Sequence, residues 1–248
     1  MATVAPPAPS ETPEMSSFAR LIGVLVNPRP TFESIVRRPT WVLPIVLGSI
    51  VFISIVAIFT QRGGWPAFFE RQNANSSRFQ KLSPENQEKT LNGQLKIAPV
   101  FGYVEGVILP ALAAVIVAAV LLGIFNLTNS TQTTFHIALG IVAFAWTPWL
   151  VHGLIGILIL FLKDPSTVDL ENLVASNPGA FLADDAPKWL SALLGSIDIF
   201  AIWTMILLAI GFSTTNPKKL TFGKALTMVV VVWIFFVLVK VGLTSLFS

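Results

Sequence analysis

Four ionisable residues stand inside long apolar stretches of the chain: Glu105, His152, Asp198 and Lys240. A charge at the centre of a membrane-crossing helix costs at least about 2.5 kcal/mol, so such a residue needs a partner or a water-lined path. The spacing places all four at similar depth, and the expected pairs are Asp198 with His152 and Glu105 with Lys240, acting as polar ties between helices. The alternative is a solute or ion path lined by Asp198 and His152, as in a transporter or channel component. His136 and His152 are the only histidines. They lie about 24 Å apart on one helix and cannot share a metal. There are no cysteines, no nucleophile elbow and no glycine-rich phosphate loop, so no catalytic residue, metal site or cofactor is expected and an enzyme is not indicated. The adjacent Thr147 and Pro148 mark a helix kink in which the hydroxyl can satisfy a carbonyl freed by the proline.

These groups need a scaffold, and composition says which kind. With 54% hydrophobic and 12% charged residues among 248, the chain is too apolar for a water-soluble domain of this size. The expected fold class is all-α: a polytopic membrane protein with a five-helix transmembrane bundle and amphipathic N-terminal interfacial helices. Five apolar runs reach the roughly 20 residues that a bilayer crossing needs: about 41–60, 98–125, 135–162, 189–212 and 220–247. Residues 1–15 read as a disordered tail. The net charge of +3 does not point to nucleic acid, since basic residues flanking spans follow from the positive-inside rule.

Residues 16–40, "SSFARLIGVLVNPRPTFESIVRRPT", read as two short helices, the first capped by Ser16 or Ser17 and the second by Asn27. Their basic residues Arg20, Arg29, Arg37 and Arg38 are expected to contact anionic lipid headgroups. The connection 61–97 is polar and reads as two helices broken near Leu82. The third connection is acidic, with Asp164, Asp169, Glu171, Asp184 and Asp185, whereas the fourth carries Lys218, Lys219 and Lys224. Counting Lys and Arg puts the N-terminus in the cytoplasm and the C-terminus outside, although the basic connection 61–97 counts the other way.

Several stretches resemble the Yip domain family, the Ypt-interacting proteins and their bacterial relatives. "FARLIGVLVNPRPTFESIVRRPTW" is similar to the family's interfacial start, with Phe18, Leu21, Pro28, Phe32 and Pro39 fitting. "TTFHIALGIVAFAWTPWLV" is similar to its central span, and "WLSALLGSIDIFAIWTMILLAIGFSTTNPKKLTFGKAL" to its last two, with Asp198, Trp203, Gly211, Lys224 and Ala225 at pattern positions. The resemblance implies a five-span protein of the bacterial inner membrane with a cytoplasmic N-terminus. It implies a membrane organiser, scaffold or adaptor working with lipid and with membrane-protein partners. The DLYGP motif of eukaryotic members has no counterpart here, which weighs against small-GTPase binding.

Overall fold

The computed structural model describes residues 15–246 apart from 75, 130, 132, 184 and 185. The tail read over 1–15 therefore lies, but for Met15, outside the described residues, as do Asp184 and Asp185.

The described chain is helical throughout its ordered elements. Helix α1, Ser17–Val26, starts where the Ser16 hydroxyl accepts from the Ala19 amide at 3.1 Å. Helix α2, Pro28–Arg37, follows after one residue, and its two prolines sit in the first turn, where no intrahelical N–H is needed. Asn27 holds the cap position without a capping side-chain bond, contrary to the sequence reading; the Thr31 hydroxyl instead donates to the Asn27 carbonyl at 2.8 Å. Gly23 lets the two helices close on each other, since a Cβ there would stand 2.5 Å from Thr31 Oγ1.

Helix α3, Val42–Gln61, is 20 residues long and apolar on every side. Two short helices, α4 at Trp65–Ala74 and α5 at Ser77–Gln80, lead into α6, Pro84–Asn129. The sequence reading starts the second crossing at Ala98. The helix instead begins at Pro84 and runs unbroken for 46 residues, because nothing between Pro84 and Pro99 stops it. At about 1.5 Å per residue it is roughly 69 Å long, more than twice a bilayer core.

The third run divides into α7, Phe135–Ala145, and α8, Thr147–Leu162. The fourth divides into α9, Lys188–Ser196, and α10, Ile199–Ser213, bent by 46°. Helix α11, Phe222–Leu246, packs along both halves of that bent pair. Four helical units are long and apolar enough to cross a bilayer, and up to five if the bent pair crosses as one.

Small residues set the helix contacts, as expected where lipid removes the hydrophobic drive between helices. Gly102 and Gly106 of α6 let Val56, Phe52 and Ile53 of α3 approach, which makes that pair antiparallel. Gly153 and Gly156 of α8 meet Val51 and Ile55, so α3 and α8 run parallel. The main core lies at the end of the bundle where α1 and α2 dock: Phe32, Ile35, Phe125, Phe144 and Phe212 are fully buried, and Phe125 stacks on Phe212 at 4.4 Å. A smaller cluster of Phe59, Leu160, Val168 and Leu173 closes the opposite end. The outward faces stay apolar, with Phe235, Leu238 and Leu158 among the exposed side chains, as a lipid-facing surface requires.

Gly211 is the tightest point of the main core, for a Cβ there would lie 2.5 Å from Ile141 and 3.0 Å from Phe32. Gly211→Val is expected to lower stability by about 1–3 kcal/mol through overpacking. Thermal unfolding in detergent measures this, and an unchanged midpoint would mean that α2 does not bear on α10.

Candidate functional site at the buried acid and the interfacial helices

Asp198 sits at the break between α9 and α10 and is 4% exposed. Its backbone is extended, and its carboxylate caps α10: Oδ1 accepts from the Phe200 amide at 2.7 Å. Negative charge is favoured at a helix N-terminus, where unpaired amides converge. The second oxygen, Oδ2, accepts from the Ser176 hydroxyl, while the Ile199 amide donates to the Ser176 carbonyl at 3.2 Å. Ser176 belongs to the connection between α8 and α9, which dips between the helices to reach this depth. Leu173 fills the space beside Gly156, and Gly179 lies directly on the Gly195 backbone, where a Cβ would stand 2.8 Å from the Gly195 nitrogen. Each Asp198 oxygen thus accepts one bond, and together they stitch the connection to the broken helix.

His152 shares the depth of Asp198, but no hydrogen bond joins them among the described residues. They are linked through Phe200, whose amide bonds the carboxylate and whose ring meets the imidazole edge-on at 5.1 Å. Trp149 packs on the other side at 5.2 Å. The expected pair of Glu105 with Lys240 is corrected: both side chains are exposed, on α6 and α11, and no ion pair joins them. Sequence spacing fixes depth along a helix and leaves facing open, and both residues face outward.

At the α7–α8 break, Pro148 cannot bond the Phe144 carbonyl four residues back. The buried Thr147 hydroxyl donates to that carbonyl at 2.6 Å. The kink leaves no orphaned acceptor there.

Arg20 also departs from its expected role. It is 4% exposed and turned away from any headgroup. Nη1 donates to the Arg38 carbonyl at 2.8 Å and to Thr40 Oγ1 at 3.0 Å; Nη2 donates to the Ser34 carbonyl at 3.2 Å and its hydroxyl at 3.1 Å. Those acceptors lie at the C-terminal end of α2, where the helix dipole attracts a cation. Arg20 therefore fastens α1 to α2 and to the entry of α3. Arg29, Arg37 and Arg38 are exposed, with Arg29 3.6 Å from Glu33 one turn on. The other side of α1 exposes Phe18, Ile22 and Val26, at 64, 54 and 76%, one turn apart on a single stripe.

Two arginines that spacing alone did not single out hold the opposite end. Arg62 donates to the carbonyls of Leu160 and Lys163 at the C-terminus of α8. Arg71 donates to those of Ser166 at 3.1 Å and Val168 at 2.6 Å. The signal was present as basic residues on the same side as an acidic connection. Within that connection, the amide and hydroxyl of Ser166 hold the Asp164 carboxyl below the ordinary carboxylate range.

Helices α3, α6 and α8 line a half-open pocket of about 500 Å³, bounded on one side by Leu170, Glu171 and Leu173 of the same connection, with His152 in its wall. Among the described residues no group of three His, Cys, Asp or Glu side chains converges as a metal site. The Yip1 domain family model matches residues 22–243, nearly the whole chain. No curated protein and no solved structure matches it.

Proposed function

Since the chain belongs to the Yip1 domain family, we propose that this multi-pass membrane protein is a non-enzymatic organiser of its bilayer, working through the α1–α2 unit at one leaflet. The observation that carries this reading is the clamp at Arg20. It fixes α1 to α2, which packs on α7 and α10, and leaves Phe18, Ile22 and Val26 exposed as an apolar stripe beside the exposed Arg29, Arg37 and Arg38. A stripe of that kind sinks into the boundary between headgroups and tails. Each basic residue near an anionic surface adds about 1 kcal/mol of attraction. The wedge occupies area in one leaflet, and the bundle prevents it from leaving.

In this reading α9 and α10 together form the fourth of five crossings, supported by α11 packing along both. The basic N-terminal unit and the lysines after α10 face the cytoplasm, and the acidic connection faces outward, in a bacterial inner membrane. The use of both Asp198 oxygens in local bonds, together with its burial, favours a structural tie over a transport path.

Purified protein reconstituted into vesicles rich in anionic lipid is expected to deform them, as seen by electron microscopy. The triple change Arg29→Gln, Arg37→Gln and Arg38→Gln should weaken this strongly, and Phe18→Ser with Ile22→Ser should abolish it. Parental behaviour by both variants overturns the wedge reading.

A further inference from the structure

The pocket between α3, α6 and α8 is long and apolar, with His152 partway along it, near the level of Val51, and Glu171 at its margin. It follows α3 from Pro44 to Val56, a length of roughly 18 Å at about 1.5 Å per residue, and its floor is built by Trp146 and Leu109. Its volume of about 500 Å³ falls within the range of about 300–1,000 Å³ in which protein pockets enclose ligands. A compact polar solute would find little to bond along such a slot. An extended hydrocarbon chain finds apolar contact over the whole length.

The polar groups that bound the slot are His152 and Glu171. His152 makes ring contacts with Trp149 and Phe200 and no hydrogen bond among the described residues, so its ring N–H is open to an ester carbonyl. Glu171 is exposed, and its carboxylate has no cationic partner among the described residues. The two arginines that reach this connection, Arg62 and Arg71, are turned to main-chain carbonyls instead. Their charges offset Asp164, which lies beside Arg62, and leave Glu171 as the acid lining the slot that is open to a cationic group.

We infer that this slot holds one bilayer lipid, its acyl chain lying along α3 and its primary ammonium headgroup paired with Glu171. An ammonium offers three N–H donors to the carboxylate, whereas a quaternary choline offers none. The inference stands apart from the wedge at the other leaflet, so each can fail alone.

The test is native mass spectrometry of the full chain, extracted from mixed vesicles containing equal amounts of phosphatidylethanolamine, phosphatidylcholine and phosphatidylglycerol with identical acyl chains. One retained lipid is expected, with phosphatidylethanolamine favoured about fivefold over the others, the size of one partly exposed ion pair. Glu171→Gln should bring phosphatidylethanolamine and phosphatidylcholine to parity without losing the lipid. Gly48 lines the slot, and a Cβ there meets only ordinary contacts, 3.9 Å from Leu150 and Pro110. Gly48→Phe should therefore fill the slot and remove the retained lipid, with thermal unfolding and gel filtration verifying that each variant is folded. If Gly48→Phe does not fold, Ala113→Leu on the facing helix replaces it. Retention of no lipid by the parent, preference for phosphatidylglycerol, or an unaltered preference in Glu171→Gln overturns the inference.

Discussion

Arg20→Leu is expected to loosen α1 from α2 and from the entry of α3, with a loss of about 3–5 kcal/mol of stability. The guanidinium is buried and makes four hydrogen bonds, to the Arg38 and Ser34 carbonyls and the Thr40 and Ser34 hydroxyls. Leucine would fill part of the volume and remove the guanidinium donors from the end of α2, where the Ser34 hydroxyl and carbonyl are buried. Hydrogen bonds to a charged donor contribute about 1.5–3 kcal/mol each when lost singly, and a shared donor makes their sum less than additive. Thermal unfolding in detergent should show the drop, and limited proteolysis should expose cleavage near Asn27 and Arg38. Arg20→Lys should rescue little, because one ammonium cannot reach acceptors spread over the Ser34 and Thr40 backbone at once. A lysine variant as stable as the parent would show that positive charge alone, rather than the fork of donors, holds this joint.

The second large effect concerns Asp198. Asp198→Ala removes the cap of α10 and strands the Phe200 amide, while the Ser176 hydroxyl keeps the Val174 carbonyl at 3.3 Å as an acceptor. Loss of an N-cap costs about 1 kcal/mol in water-exposed helices. An unpaired amide away from water brings the expected total to about 2–3 kcal/mol. Asp198→Asn keeps an oxygen for the Phe200 amide and should lose about half as much. Ser176→Ala should show a coupling of about 1 kcal/mol with Asp198→Ala in a double-mutant cycle on unfolding free energy. A zero coupling, with Asn as harmful as Ala, would mean that the negative charge itself matters and would return the path reading to favour.

The bundle was legible because length and scarcity of charge are properties of the chain in one dimension. Runs of about 20 apolar residues carry their own meaning in lipid. Facing is a property of three dimensions, and there the reading failed in specific ways. Glu105 and Lys240 share a depth yet both lie on exposed faces of their helices. Arg20 beside an apolar stripe looks the same whether it reaches a headgroup or folds back on α2; the reversal at Asn27 decides, and that depends on packing around Gly23 and Thr31. The break before α10 did have a local signal. "GSID", Gly195 to Asp198, contains a weak helix former followed by a favoured N-cap residue. The dip of Ser176 to meet it had none, because the partner lies 22 residues away.

The arginines that grip the α8–α9 connection bear on how the protein is made. In the proposed orientation the hairpin 61–97 must be carried outward, with Arg62, Arg71, Arg78, Lys81, Lys89 and Lys96 against Glu70, Glu85 and Glu88. Moving three net positive charges against an interior-negative potential of 100 mV costs about 7 kcal/mol. The carbonyls of Leu160, Lys163, Ser166 and Val168 become available only once the later helices are in place. Synthesis would then end with a latch: the last half of the chain locks across the bilayer the one segment that the field drives back.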